Sequence, residues 1–205
     1  MLRRHRKPHA PGRSAHRPLE VRIIGGRLRG RRLAYSGDLR TRPMKDRLRE
    51  AIFNLVGPAV QGLHAVDLFA GTGALGLEAL SRGAARATLV ERHFPTANLI
   101  RRSAAELGLS EVCDIVPADT FTWWRRGPDL GPLPQVIFCS PPYELYVNRP
   151  GEMVGLISGL FQAAPGGSLL VVEADRRFDF TLLPGHELAD VRRYPPAVVG
   201  LFEKR

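Results

Sequence analysis

Ser140-Pro141-Pro142-Tyr143 is the segment of this 205-residue chain best suited to chemistry. It follows Gln135-Val136-Ile137-Phe138-Cys139, an apolar run that reads as a buried strand. Two prolines and an aromatic hold carbonyl oxygens and a flat ring just beyond that strand's C-terminal edge, where open α/β sheets bind ligands. Proline has no N–H to compete for its carbonyl, and the residue before it stays extended. The Ser140 Oγ and the Pro141 carbonyl could therefore accept the two N–H bonds of an exocyclic base amine. That would favour a pyramidal nitrogen with a free lone pair. The Tyr143 ring could stack an extruded base, worth about 1–3 kcal/mol against a flipping cost of a few kcal/mol. The chemistry would be alkylation at nitrogen, driven by positioning and electrostatics without a dedicated general base. Ser140, Pro141, Pro142 and Tyr143 are the candidate catalytic residues. By itself the tetrapeptide reads equally well as a Pro-Pro turn over a packed aromatic.

A second constellation lies upstream. Gly71, Gly73 and Gly76 in Asp67-Leu68-Phe69-Ala70-Gly71-Thr72-Gly73-Ala74-Leu75-Gly76 fit G-x-G-x-x-G between a strand and a helix. Such glycines permit a tight turn and close backbone approach to a ligand. Asp67 precedes them, where a carboxylate would repel a pyrophosphate but suit a cationic amine. Glu91 ends the next strand and could accept both hydroxyls of a ribose. Asp119, after the third strand, could accept an adenine amine. S-adenosylmethionine has an ammonium, a sulfonium and a ribose and no phosphate, so it fits this acidic row better than NAD does. Each acid alone reads as an ordinary cap or surface group.

Positioning these residues requires alternating elements. Leu48, Ala51, Ile52 and Leu55 recur at helical spacing before Gly57-Pro58. Strands are expected at His64–Phe69, Ala87–Glu91, Val112–Val116, Gln135–Cys139 and Ser168–Glu173. Helices are expected at Ala74–Arg82, Pro95–Leu107, Phe121–Arg125 and Glu152–Ala163. Leu188–Tyr194 and Val198–Glu203 read as two final strands with no helix between them. The pattern predicts an α/β protein whose seven-stranded sheet is mainly parallel, with a C-terminal antiparallel hairpin.

The formal net charge of +10 is segregated. Residues 1–49 hold 16 Lys and Arg against 3 acids, and residues 50–205 hold 14 against 17. Residues 1–18 are rich in Arg, His and Pro and read as a disordered basic tail. Val21–Leu33 mixes β-branched residues, paired glycines and arginines. It reads as an ordered basic β-hairpin whose Arg22, Arg27, Arg29, Arg31 and Arg32 could bind nucleic-acid phosphates. The expected partition is a tail over 1–18, a hairpin and helix over 19–58 and a catalytic domain over 59–205. No apolar stretch is long enough to cross a bilayer, and the N-terminus lacks the apolar core of a secretory signal. Cys113 and Cys139 lie in strand-like runs and read as buried free thiols of a cytoplasmic protein. The scattered histidines and the lack of Cys-x-x-Cys predict no metal site.

These residues resemble the class I S-adenosylmethionine-dependent methyltransferases that carry an [Asp/Asn/Ser]-Pro-Pro-[Tyr/Phe/Trp] motif. Arg22–Leu33, Thr41-Arg42-Pro43, Asp46–Asn54 and Asp67–Gly73 more specifically resemble the RsmD family over about residues 20–205. That resemblance implies a Rossmann-like class I methyltransferase fold and methylation of the N2 amine of a guanine in bacterial 16S ribosomal RNA. The partner would be ribosomal RNA within the small ribosomal subunit, the cofactor S-adenosyl-L-methionine, and the acting form a monomer away from membranes. It implies that Asp67, Gly71 and Gly73 line the methionine part of the cofactor, with Glu91 on the ribose and Asp119 near adenine. Phe69 joins these contacts, and Thr41, Arg42 and Pro43 match a segment that closes over the cofactor. One departure stands out: the family usually has Asp where this chain has Ser140. Two alternatives remain open, an adenine-N6 methyltransferase and a non-catalytic RNA-binding protein of the same fold.

Overall fold

The computed structural model describes residues 20–38 and 41–205, so the tail expected over 1–18 lies outside the described residues. Strands β1 (Val21–Arg22) and β2 (Arg32–Leu33) pair antiparallel as a short hairpin. Helix α1 (Asp46–Val56) follows and buries Arg49, Ile52, Phe53 and Val56 along one stripe. The alternating core then runs β3 (His64–Asp67), α2 (Ala74–Ser81), β4 (Arg86–Val90), α3 (Phe94–Glu106), β5 (Cys113–Val116), α4 (Thr120–Arg125) and β6 (Gln135–Cys139). A short helix α5 (Glu144–Asn148), α6 (Pro150–Ala163), β7 (Leu169–Asp175), β8 (Asp190–Tyr194) and β9 (Ala197–Glu203) complete it.

The seven strands lie in the order β5-β4-β3-β6-β7-β9-β8. The first five are parallel and β9 runs antiparallel to both β7 and β8. The chain therefore steps outward from β3 to β5 and then crosses back to β6 on the other side of β3. The crevice between the C-terminal ends of β3 and β6 is the topological switch point, where open sheets take their ligands.

Period-two alternation distributes the strand residues between two apolar layers. Ala65, Val136, Phe138, Leu169 and Val171 join the layer shared with α1, α2 and α3. Val66, Ile137, Cys139, Leu170 and Val172 join the layer shared with α4, α5 and α6. The N-terminal hairpin contributes Val21, Ile23 and Leu33 to the first layer. It thus covers α2, all eight of whose residues are buried. Sequence reading leaves α5 unassigned because Pro-Pro followed by a tyrosine signals a turn. The structure closes that turn with Leu145 N–H donating to the Pro142 carbonyl at 2.9 Å and continues it as a helix.

A buried ionic cluster joins the hairpin to the sheet layers. Glu78 of α2 and Arg49 of α1 are both fully buried. Glu78 Oε2 accepts from Arg49 Nε at 3.1 Å and from the Ile24 N–H at 3.0 Å. Its Oε1 accepts from Arg82 Nη2 at 2.8 Å and Arg82 Nε at 3.0 Å. Arg82 also covers the Phe53 ring at 4.7 Å. Gly25 and Gly26 sit so close to this cluster that an added Cβ would lie 2.1 Å from the Arg82 guanidinium or from the Ser81 carbonyl oxygen. The paired glycines are therefore a packing requirement, and Gly26 also needs its φ of +74°. Removing one member of such a buried pair strands the other. Glu78→Ala is expected to cost about 3–5 kcal/mol in urea denaturation and to accelerate amide exchange at Ile24 and Leu28. Unchanged exchange at those amides would mean that the hairpin is held by its apolar contacts alone.

Candidate active site

The first cluster is built at the end of β3. Asp67 is buried, and its Oδ2 accepts the Gly76 N–H at 3.2 Å. Its Oδ1 is buried with no hydrogen-bond partner among the described residues. Burial raises its carboxyl pKa to about 7; the Gly76 N–H opposes the rise and the Glu91 charge adds to it. Gly71 and Gly73 adopt left-handed φ of +54° and +74°. A Cβ at Gly73 would meet Ile100 at 2.8 Å, and one at Gly76 would meet Leu89 at 2.8 Å. These two glycines let α2 pack. Around Gly71 the nearest atom would be Thr41 Cγ2 at 3.6 Å, so only this glycine of the three leaves room for a ligand.

Glu91 serves the loop directly. Its two carboxylate oxygens accept the Gly71 N–H at 2.9 Å and the His93 N–H at 2.7 Å. Each oxygen keeps further lone-pair capacity for a hydroxyl. Asp119 caps α4 by accepting the Thr122 N–H at 3.0 Å. Beside it the Phe121 ring meets Phe69 edge-on at 6.3 Å, and the Arg149 guanidinium lies 3.9 Å over the Phe121 centroid. Sequence reasoning missed Arg149, which sits at the α5–α6 junction far along the chain. Thr41 closes on the same side: its hydroxyl lies 3.3 Å from the Thr96 hydroxyl. Pro43 is half-buried, and Arg42 is exposed with its charge near enough to oppose the upward shift of the Tyr143 phenol.

The second cluster follows β6. The Cys139–Val172 register places Ser140 beside Glu173 of β7. The Ser140 and Tyr143 hydroxyls donate to the two oxygens of the Glu173 carboxylate. Burial raises the Glu173 pKa, and these two hydrogen bonds oppose that rise. Burial and the Glu173 contact both hold the Tyr143 phenol well above its ordinary pKa. The Tyr146 hydroxyl donates to the Glu173 backbone carbonyl at 3.1 Å. Glu173 closes a strand that the sequence pattern places, but its link to Ser140 depends on which strands are neighbours. Pro141 is buried, Pro142 is exposed and Tyr143 is half-buried. The Pro141 carbonyl makes no hydrogen bond among the described residues. Both cysteines are free and buried, and burial pushes each thiol up to about 12, so neither is a nucleophile here.

The five hairpin arginines divide into two groups. Arg22 Nε pairs with Asp46 at 3.2 Å, Arg31 donates to the Glu106 carbonyl at 2.8 Å, and Arg32 pairs with Glu20. Arg27 and Arg29 are exposed and have no side-chain partner among the described residues. No helix among the described residues is long and apolar enough to cross a membrane.

Known proteins resemble this chain. The profile of the family described as conserved hypothetical protein 95 matches residues 21–186. The Bacillus subtilis protein YlbH is 30% identical over 187 residues, covering 90% of this chain and 100% of that one. The ribosomal RNA small subunit methyltransferase D of Haemophilus influenzae is 33% identical over 158 residues, 77% of this chain and 80% of its own. Among solved structures, the Escherichia coli protein yhhF superposes with a TM-score of 0.71 at 28% identity, covering 91% of this chain and 98% of that one.

The raised carboxyl of Asp67 has a measurable consequence. A carboxyl whose folded-state pKa lies above its unfolded value contributes stability that is intact below the unfolded value. For Asp67 that contribution is lost as pH rises from 3.8 towards about 7. Asp67→Asn is therefore expected to be more stable than the parent at pH 8, by on the order of 4 kcal/mol at most. The difference should vanish near pH 4. Urea midpoints at the two pH values check this; a parent more stable than the variant at pH 8 would show the carboxylate to be favourably held.

Proposed function

This chain belongs to the family described as conserved hypothetical protein 95, together with the ribosomal RNA small subunit methyltransferase D of Haemophilus influenzae, and on that premise we propose its reaction and substrate. It is an S-adenosylmethionine-dependent ribosomal RNA methyltransferase. The finer reading is that it methylates the N2 amine of a guanine in the 16S RNA of the small ribosomal subunit, as a monomer in the cytoplasm. The observation that carries the reading is that Ser140–Tyr143 and Asp67 end adjacent strands at the switch point.

The residues fit the cofactor. The partnerless, buried Asp67 Oδ1 suits an ammonium, which would also draw the carboxyl back to its charged form. Gly71 would give backbone access and Glu91 would accept ribose hydroxyls. Asp119, beside Phe69, would accept the adenine amine. Thr41, Arg42 and Pro43 would cover this side. When bound, S-adenosylmethionine supplies an electrophilic methyl on sulfur. The Ser140 Oγ and the Pro141 carbonyl would accept the two N–H bonds of the target amine and aim its lone pair, with Pro142 fixing the turn. The Tyr143 ring would stack the extruded base. The nitrogen becomes acidic once alkylated, so its proton can leave to solvent.

The deciding experiment is tritiated methyl transfer to small subunits that lack the modification, with the product mapped by mass. Methylguanine is expected, whereas methyladenine would overturn the base assignment. Tyr143→Ala should lower turnover at least 10-fold while cofactor affinity stays within about 2-fold; equal losses in both would make the ring a packing element. Arg27→Ala with Arg29→Ala should reduce the salt slope of RNA binding by about 1.5, at roughly 0.7–0.9 per phosphate contact. An unchanged slope would put the RNA surface elsewhere.

A further inference from the structure

We propose that Glu173 is a positioning residue for the acceptor, one that fixes the Ser140 hydroxyl as a pure hydrogen-bond acceptor towards the substrate and locks the Tyr143 ring. The proposal rests on the methyl-transfer reading above. A serine at the first motif position is ambiguous, since its hydroxyl can donate or accept and carries no charge. A donating serine would bond the lone pair of the target amine that has to react. The structure removes the ambiguity. Glu173 is 6% exposed, and one of its oxygens accepts a hydrogen bond from the Ser140 hydroxyl while the other accepts one from the Tyr143 hydroxyl. Both Ser140 lone pairs are thereby left for N–H donors. The hydroxyl is also polarised by a charged acceptor, which strengthens hydrogen bonds of this kind.

The framework around Glu173 keeps it in place. Its strand pairs with β6 on one side and β9 on the other, with Glu173 opposite Val199. The Tyr146 hydroxyl holds its backbone carbonyl. A carboxylate on the neighbouring strand thus acts through the serine.

Glutamine at 173 keeps the shape but offers one acceptor oxygen and an NH2 donor, so one of the two hydroxyls loses its acceptor and is turned to accept instead. Glu173→Gln is expected to lower kcat by on the order of 10- to 100-fold, with cofactor affinity by calorimetry within about 2-fold. Ser140→Asp alone should also be impaired, because two carboxylates in contact cannot both ionise. The double variant, Ser140→Asp with Glu173→Gln, restores a single carboxylate and should recover most of the lost turnover. A structural role would give additive losses instead, and that result overturns the proposal. A readout independent of activity uses ring-labelled tyrosine. The Tyr143 Cζ resonance of the free protein, assigned through Tyr143→Phe, should shift in Glu173→Gln, and an unmoved resonance also overturns it. Absence of methyl transfer by the parent chain would instead sink the methyl-transfer reading, while the resonance still decides the contact.

Discussion

The contact on which the rest of this structure depends is the burial of Glu78 against Arg49 and Arg82. Two charges withdrawn completely from water cost more than their attraction returns unless the remaining donors and acceptors are also satisfied. Here the Glu78 carboxylate receives both arginines and the Ile24 amide, which uses its acceptor capacity. Arg49 Nη2 in turn reaches Asp46 at 3.0 Å, and Nη1 has no partner among the described residues. The cluster ties together three segments distant in sequence: the hairpin, α1 and α2. Apolar packing alone could tolerate a sliding hairpin. An ion pair with directional bonds to a backbone amide admits one register.

α2 then links this anchor to the site. Its N-terminal end begins at the glycine loop, and its buried faces are sealed by the sheet on one side and the hairpin on the other. Gly73 and Gly76 are needed because Ile100 and Leu89 press on the helix there, whereas Gly71 is left open. On the other side of the switch point, Glu173 gathers two hydroxyls from the β6 loop. Asp67, Ser140 and Glu173 thus lie along one line of neighbouring strand ends. The sheet register, rather than any local turn, sets their spacing.

Much of this could be read from the amino-acid sequence. Hydrophobic periodicity located all seven strands of the main sheet to within a few residues, because each is bounded by glycine, proline or a charged turn. The glycine loop and Ser140–Tyr143 were visible because glycine and proline announce backbone geometry directly. Other features were not visible. Glu173 looked like the polar end of a strand, since its meaning arises only once β7 lies beside β6. The pairing of Glu78 with Arg49 is not legible either, because nothing local in sequence reveals that a hairpin covers both. The hairpin arginines looked equivalent, yet Arg22, Arg31 and Arg32 are engaged by partners far away in sequence. Arg149 over Phe121 was hidden for the same reason.

The clamp between Gly25–Gly26 and the last residue of α2 has a geometric corollary. It leaves the free arginines Arg27 and Arg29 at one end of the helix and the glycine loop at the other. Eight helical residues separate them, about 12 Å along the axis. Both ends are fastened, one by the Ser81 contacts and the other by the glycine loop, so this separation is set by the helix. If RNA is held at Arg27 and Arg29 as proposed, only a nucleotide at the matching distance would reach the strand-end site. Selection among many chemically identical bases could then be made by length, with no base pair ever being read.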